Sequence, residues 1–216
     1  MNAAATGLTL GIPLRVAAAA PATSVPAAEA RSQLAAGNER FIGGNLRYQN
    51  GLAERRVALA GGQAPFASVL ACSDSRVAPE LLFDQNIGAL FVARNAGNFV
   101  TDAVLGTLEY GYEHLGSKLI VVLGHESCGA ISATYDALAD RTPLPPHLDA
   151  IENGIRSGIA TVVHEHGSKD AASAANARAQ AARLRRSPTL AKGAAAGDLQ
   201  IVAAIYHLKT GAVVFL

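Results

Sequence analysis

The chain has no tryptophan, one methionine and only two cysteines, and 5% of its 216 residues are aromatic. Two cysteines cannot build a disulfide framework; they can form at most one bridge. Charge is scarce as well, with Asp, Glu, Lys and Arg together at 16% and a net charge of +1. No run of Lys and Arg is long enough for a nucleic-acid stripe, which sets that partner class aside. The tightest basic cluster, Arg183, Arg185 and Arg186, lies in an Ala-rich stretch and reads as a solvated helix face. No stretch of about 20 consecutive apolar residues occurs, so no segment reads as a membrane span.

Half of the residues are hydrophobic, enough for one globular domain with a sizeable core. We assign that domain to residues 29–216. Residues 1–28 read as a flexible tail or the remnant of a secretory leader. Their short apolar patch and small residues around Ala17 to Ala20 resemble a cleavage region, but Met1 to Gly7 carries no Lys or Arg. A leader remnant would place the protein in the periplasm; a simple tail would leave it in the cytoplasm.

Periodicity predicts helices over Glu29–Phe41, Glu80–Asp84, Asn98–Leu115, Cys128–Leu138 and Leu148–Val163, and two more in the Ala-rich region up to Ala196. Gly43 and Gly44 close the first helix and Gly116 the third. Apolar runs ending at Cys72, at Arg94 and at Gly124 read as buried strands. "LQIVAAIYHL" and "AVVFL" read as an antiparallel hairpin around Lys209 to Gly211. Buried strands alternating with helices predict an α/β fold: a mostly parallel central sheet, helices on both faces, an antiparallel C-terminal edge hairpin. In such sheets ligands bind beyond the carboxyl ends of the strands.

Both cysteines lie at such ends. "VLACSDSR" places Cys72, Asp74 and Arg76 directly after one strand; "VVLGHESC" places His125 and Cys128 directly after another. Two sulfurs, an imidazole and a carboxylate suit tetrahedral zinc. A disulfide would leave His125, Asp74 and Arg76 without a role. Asp74 itself reads in two ways. Bound to the metal, it closes the site as a fourth ligand. Paired with Arg76, it leaves that position to water, because a guanidinium fork holds both carboxylate oxygens. Zinc brings the pKa of bound water to about 7, and an ionised Asp74 would accept its hydrogen and aim the nucleophile.

"CSDSRVAPE", "FVARNAGN", "LEYGYEHLG", "LIVVLGHESCGAI" and "GAVVFL" together resemble the β-class carbonic anhydrases, over about Glu29 to Leu216. The resemblance implies zinc on Cys72, His125 and Cys128, with Asp74 and Arg76 as the gating pair and Asp74 a ligand only in a closed state. It implies reversible hydration of CO2 to bicarbonate and a proton, in a homodimer or tetramer with active sites at the subunit interface. Gln63 matches a glutamine that contacts substrate across that interface, Tyr110 a tyrosine lining the pocket, and Gly129 a glycine whose N–H faces substrate. Val69 stands where the bicarbonate-gated branch has tryptophan, which implies the ungated, open-site branch. Ala96 stands where relatives carry a bulkier residue, so COS or CS2 is an alternative substrate. Glu29–Phe41 is expected to wrap the partner protomer.

Overall fold

The structure, a computed structural model, describes residues 25–216. Most of the segment read as a tail or leader remnant lies outside the described residues. The first helix, α1 (Ala27–Ile42), begins behind Pro26, and α2 (Leu52–Ala58) follows. Then come β1 (Ala67–Cys72), a short α3 (Pro79–Leu82), β2 (Leu90–Asn95), α4 (Asp102–Glu113) and β3 (Leu119–His125). The rest is α5 (Gly129–Asp140), α6 (Asp149–His164), α7 (Lys169–Leu184), α8 (Pro188–Ala195), β4 (Gln200–Tyr206) and β5 (Val213–Phe215).

The sheet order is β2-β1-β3-β4-β5, with parallel pairing throughout except between β4 and β5. Every residue of β1 and of β3 is buried. That is the expected state of central parallel strands covered on both faces, and it explains their unbroken apolar runs. One face packs Leu34, Val69, Phe83, Val121 and Leu123; the other packs Leu70, Leu108, Ile120, Val122, Leu184 and Leu190. A third cluster, Phe99, Ile131, Ile155 and Ile159, surrounds the two cysteines and ties α5 and α6 to the strand ends.

Two differences from the sequence-based expectation have physical causes. The helix predicted from Asn98 starts instead at Asp102, because Asn98 adopts φ 41° in a turn and Thr101 caps the helix by accepting from Val104 N. α2 escaped detection because it has no buried residue and so no apolar stripe to read. Within the chain, α1 packs one face on the core. Leu34 is fully buried in the core, and Asn38 donates to Leu82 O at 3.0 Å and Gly211 O at 2.8 Å. Burying that leucine alone stabilises the packing by about 2 kcal/mol.

Asp84 fixes this end of α1. It is buried, adopts φ 47°, receives the Arg40 guanidinium, and accepts from Arg47 N at 2.6 Å and Tyr48 N at 2.8 Å. Burial opposes ionisation there, but these donors outweigh it and hold the carboxyl below its ordinary range.

Candidate metal centre

Cys72 ends β1 and His125 ends the neighbouring parallel strand β3. Three residues later Cys128 forms the N-cap of α5. The turn between them needs Ser127 at φ 51°, and Asp170 steadies it by accepting from Ser127 N at 2.9 Å. Parallel pairing therefore delivers two ligand loops to one edge of the sheet.

All three side chains are buried, and their ligating atoms lie within 4.8 Å of one another. Both cysteines are free thiols, 3.9 Å apart at sulfur. Two thiolates placed tetrahedrally on an ion at about 2.3 Å would stand about 3.8 Å apart. His125 Nδ1 lies 2.8 Å from Glu126 O. A carbonyl only accepts, so Nδ1 carries the hydrogen and the lone pair sits on Nε2. That Nε2 is buried and has no hydrogen-bond partner among the described residues. An orphaned buried acceptor is costly unless something occupies it, and a divalent cation between the sulfurs would. The three residues fit a metal ion. The Cys72 thiol is pulled far below its ordinary pKa, chiefly by the hydrogen bond from Cys128, and the same contact pushes Cys128 up.

Asp74 is turned toward Arg76. Arg76 Nε donates to Oδ1 at 2.9 Å, Nη2 to Oδ2 at 2.7 Å, and the Arg76 backbone N–H to Oδ1 at 3.0 Å. These bonds hold the Asp74 carboxyl well below the usual carboxylate range. Its Oδ2 still lies 4.0 Å from His125 Nε2, beside the ligand cluster but committed to the guanidinium. Two further groups, which sequence reasoning missed, set this loop. Arg94 Nε donates to Cys72 O at 2.9 Å and its Nη2 to Asp74 O at 2.8 Å. Gly97 N–H donates to the Cys72 sulfur at 3.3 Å.

An apolar recess of about 240 Å³ opens beside the cluster, lined by Ala96, Gly129, Ala133, Leu144, Leu148 and Ile151 among others. A side chain added at Gly129 would meet nothing within 4 Å, so packing does not explain that glycine. Neither this recess nor a larger one of about 760 Å³ beside Tyr112, Lys192 and Asp198 is lined by a ligating residue, but the smaller one includes Gly129, next in the chain to Cys128. Of the other predicted site residues, Gln63 stands exposed ahead of β1. Tyr110, on α4, is 48% exposed and stacks on His114 at 4.9 Å and Phe91 at 6.1 Å. The chain thus gathers Cys72, Asp74, Arg76, His125, Cys128 and Gly129, and leaves Gln63 and Tyr110 on its surface.

A family model described as carbonic anhydrase matches residues 67–213. The chain is 41% identical over 187 residues to a carbonic anhydrase of Mycolicibacterium smegmatis, covering 82% of this chain and 87% of that protein. It is 37% identical over 185 residues to a carbonic anhydrase of Pseudomonas aeruginosa, covering 79% and 84%. Among solved structures, a Coccomyxa β-carbonic anhydrase in complex with acetazolamide matches with a TM-score of 0.67 at 30% identity, covering 76% of this chain and 77% of that one.

Proposed function

The chain belongs to the β-class carbonic anhydrases and catalyses the reversible hydration of carbon dioxide to bicarbonate and a proton, and from that premise we infer which residues perform which part of the reaction. The ion held by Cys72, His125 and Cys128 is zinc, since two thiolates and one neutral imidazole are a borderline-soft, tetrahedral donor set. When bound, zinc supplies a Lewis acid that makes water nucleophilic at neutral pH.

The remaining work falls to side chains. Arg76 holds both Asp74 oxygens and keeps the carboxylate ionised. Asp74, an acceptor only, would accept a hydrogen bond from the attacking oxygen and turn that oxygen's lone pair toward the carbon of CO2. The apolar walls around Ala96 and Ile151 admit a linear molecule without a dipole and offer it no competing hydrogen bonds. Gly129 N–H, at the open N-terminus of α5, suits the negative charge growing on the product oxygens. The observation that carries this reading is the Arg76 fork on Asp74: the carboxylate is beside the cluster yet engaged elsewhere, as an open site requires.

Gln63 and Tyr110 complete the pocket of a second copy, in a homodimer or tetramer. Their exposure and the free edge at β2 support this. The experiment is metal analysis with stopped-flow CO2 hydration on protein of known sedimentation coefficient. About one zinc per chain, fast hydration and a dimer or larger species are expected. Active, zinc-free protein would overturn the metal assignment, and a fully active monomer would overturn the shared pocket. A second reading, hydrolysis of COS or CS2, is favoured by the small side chain of Ala96 in the lining of the recess and is tested by sulfide release.

A further inference from the structure

The Ala-rich helix α7 looks like filler in the sequence, yet it buries two amides in the third core cluster's neighbourhood. Asn176 is fully buried and Gln180 nearly so. Their orientations are dictated by their partners. Asn176 Nδ2 donates to Gly97 O at 3.0 Å, an atom that can only accept. Asn176 Oδ1 therefore faces Gln180 Nε2 at 3.0 Å, and the same nitrogen donates to Gly154 O at 3.0 Å. Gln180 Oε1 in turn accepts from Val100 N at 2.9 Å. The two amides clamp the 97–100 loop at both ends.

That loop touches the metal ligands directly. Gly97 has φ 86°, and a Cβ there would sit 2.4 Å from Ile155 Cδ1 and 3.2 Å from Ala130 Cβ. Only glycine fits, and it is held on one side by Asn176 through its carbonyl. On the other side its N–H points at Cys72 Sγ. The Asn176 bond anchors the loop on the far side of Gly97 from the N–H···S contact, so the loop cannot swing away from Cys72 without breaking it.

We propose that Asn176 is a positioning residue of the metal centre: by fixing Gly97 it keeps the Gly97 N–H on the Cys72 sulfur, and so sets how much charge that sulfur donates to the ion. A hydrogen bond to a thiolate withdraws electron density from it, and groups of this kind commonly change metal affinity about 10- to 100-fold. The inference rests on Cys72, His125 and Cys128 being the metal ligands.

The test uses cadmium-113 in the native full-length protein, read by NMR. The Gly97 amide proton is expected to couple to the cadmium nucleus through the Cys72 sulfur. The Asn176 side-chain nitrogen is expected to couple to the Gly97 carbonyl carbon through their hydrogen bond. Absence of either coupling, with cadmium coupled to both cysteines, overturns the proposal. Absence of cadmium coupling to the cysteines overturns the metal site itself. Asn176→Ala then supplies the consequence. It should lose the Gly97 coupling, bind cadmium about 10-fold more weakly because the sulfur loses its anchored position, and, with the sulfur now richer in electrons, move the sulfur-to-metal charge-transfer band of the cobalt(II)-loaded protein to longer wavelength. Ser173→Ala, on the same helix with a buried hydroxyl that has no partner among the described residues, should leave coupling, affinity and band unchanged. An Asn176→Ala protein that loses thermal stability but keeps its charge-transfer band and cadmium affinity would show a merely structural role and overturn the proposal. The couplings of the native protein decide the matter even if that variant does not fold.

Discussion

The carboxyl ends of β1 and β3 and the outer face of α4 both belong to the proposed active site, but they are built differently. At the strand ends the chain finishes its own work. Cys72 receives Gly97 N–H, Asp74 receives Arg76, His125 is fixed by Glu126 O, and the backbone between Cys72 and Asp74 is clamped by Arg94. On α4, Tyr110 packs against the rings of Phe91 and His114 and remains half exposed, as Gln63 is exposed ahead of β1. The difference teaches where one chain suffices. The metal half is pre-organised within a protomer; the substrate half is left open, which is the shape expected of a pocket that a second copy completes.

The comparison breaks most sharply at the ligands. Cys128→Ser should strip most of the zinc and bring CO2 hydration down to the uncatalysed rate, as checked by metal analysis and stopped-flow kinetics. The fold should survive, because β3 is buried in apolar clusters on both faces of the sheet. Arg76→Ala should come next, with a fall of about 10²-fold in kcat. It frees Asp74, only 4.0 Å from His125 Nε2, to enter the ligand set. Zinc content should stay near one per chain, which separates this loss from that of Cys128→Ser.

Substitutions on the open half should act more weakly and through assembly. Gln63→Ala and Tyr110→Ala should each reduce kcat/KM by about 10-fold with zinc unchanged. Mixing Gln63→Ala or Tyr110→Ala protein with Cys128→Ser protein should raise activity above the sum of the unmixed controls if the pocket is shared, because one site of each mixed dimer then has both an intact metal centre and an intact Gln63 and Tyr110. Independence of every mixture would return Gln63 and Tyr110 to ordinary surface residues.

The smallest effect lies farthest from the chemistry. Asp84→Asn should lower Tm at pH 7 by roughly 3–6 °C, through the loss of charge-assisted hydrogen bonds to Arg40, Arg47 and Tyr48. Because the folded carboxyl has a depressed pKa, its contribution is fully present above the unfolded value of about 3.9. It fades as pH falls below that. The Tm gap between wild type and variant should therefore be constant from pH 7 to about 5 and narrow in more acidic buffer, as calorimetry would record.

The ligand loops were legible because their signal is local. Cys72, Asp74 and Arg76 on alternate positions, and His125 with Cys128, follow buried strands whose apolar runs are unmistakable. The parallel sheet and its terminal antiparallel strand followed from the same runs. What stayed hidden is carried by backbone atoms brought together from afar. Arg94 acts on the Cys72 and Asp74 carbonyls, Asp170 on Ser127 N, and Asn176 on Gly97 O; nothing in the residue types alone announces such partners. Helix α2 is silent in the sequence because it buries nothing.

The central claim is that three side chains hold the metal while Asp74, kept by Arg76, only orients the nucleophile. Asp74→Asn tests it most directly, with zinc affinity measured by chelator competition and kcat measured on the same sample. The predicted result is an affinity within a few-fold of wild type and a kcat about 10²-fold lower. A variant that loses its zinc would make Asp74 a ligand, and one that keeps both zinc and full activity would remove it from catalysis.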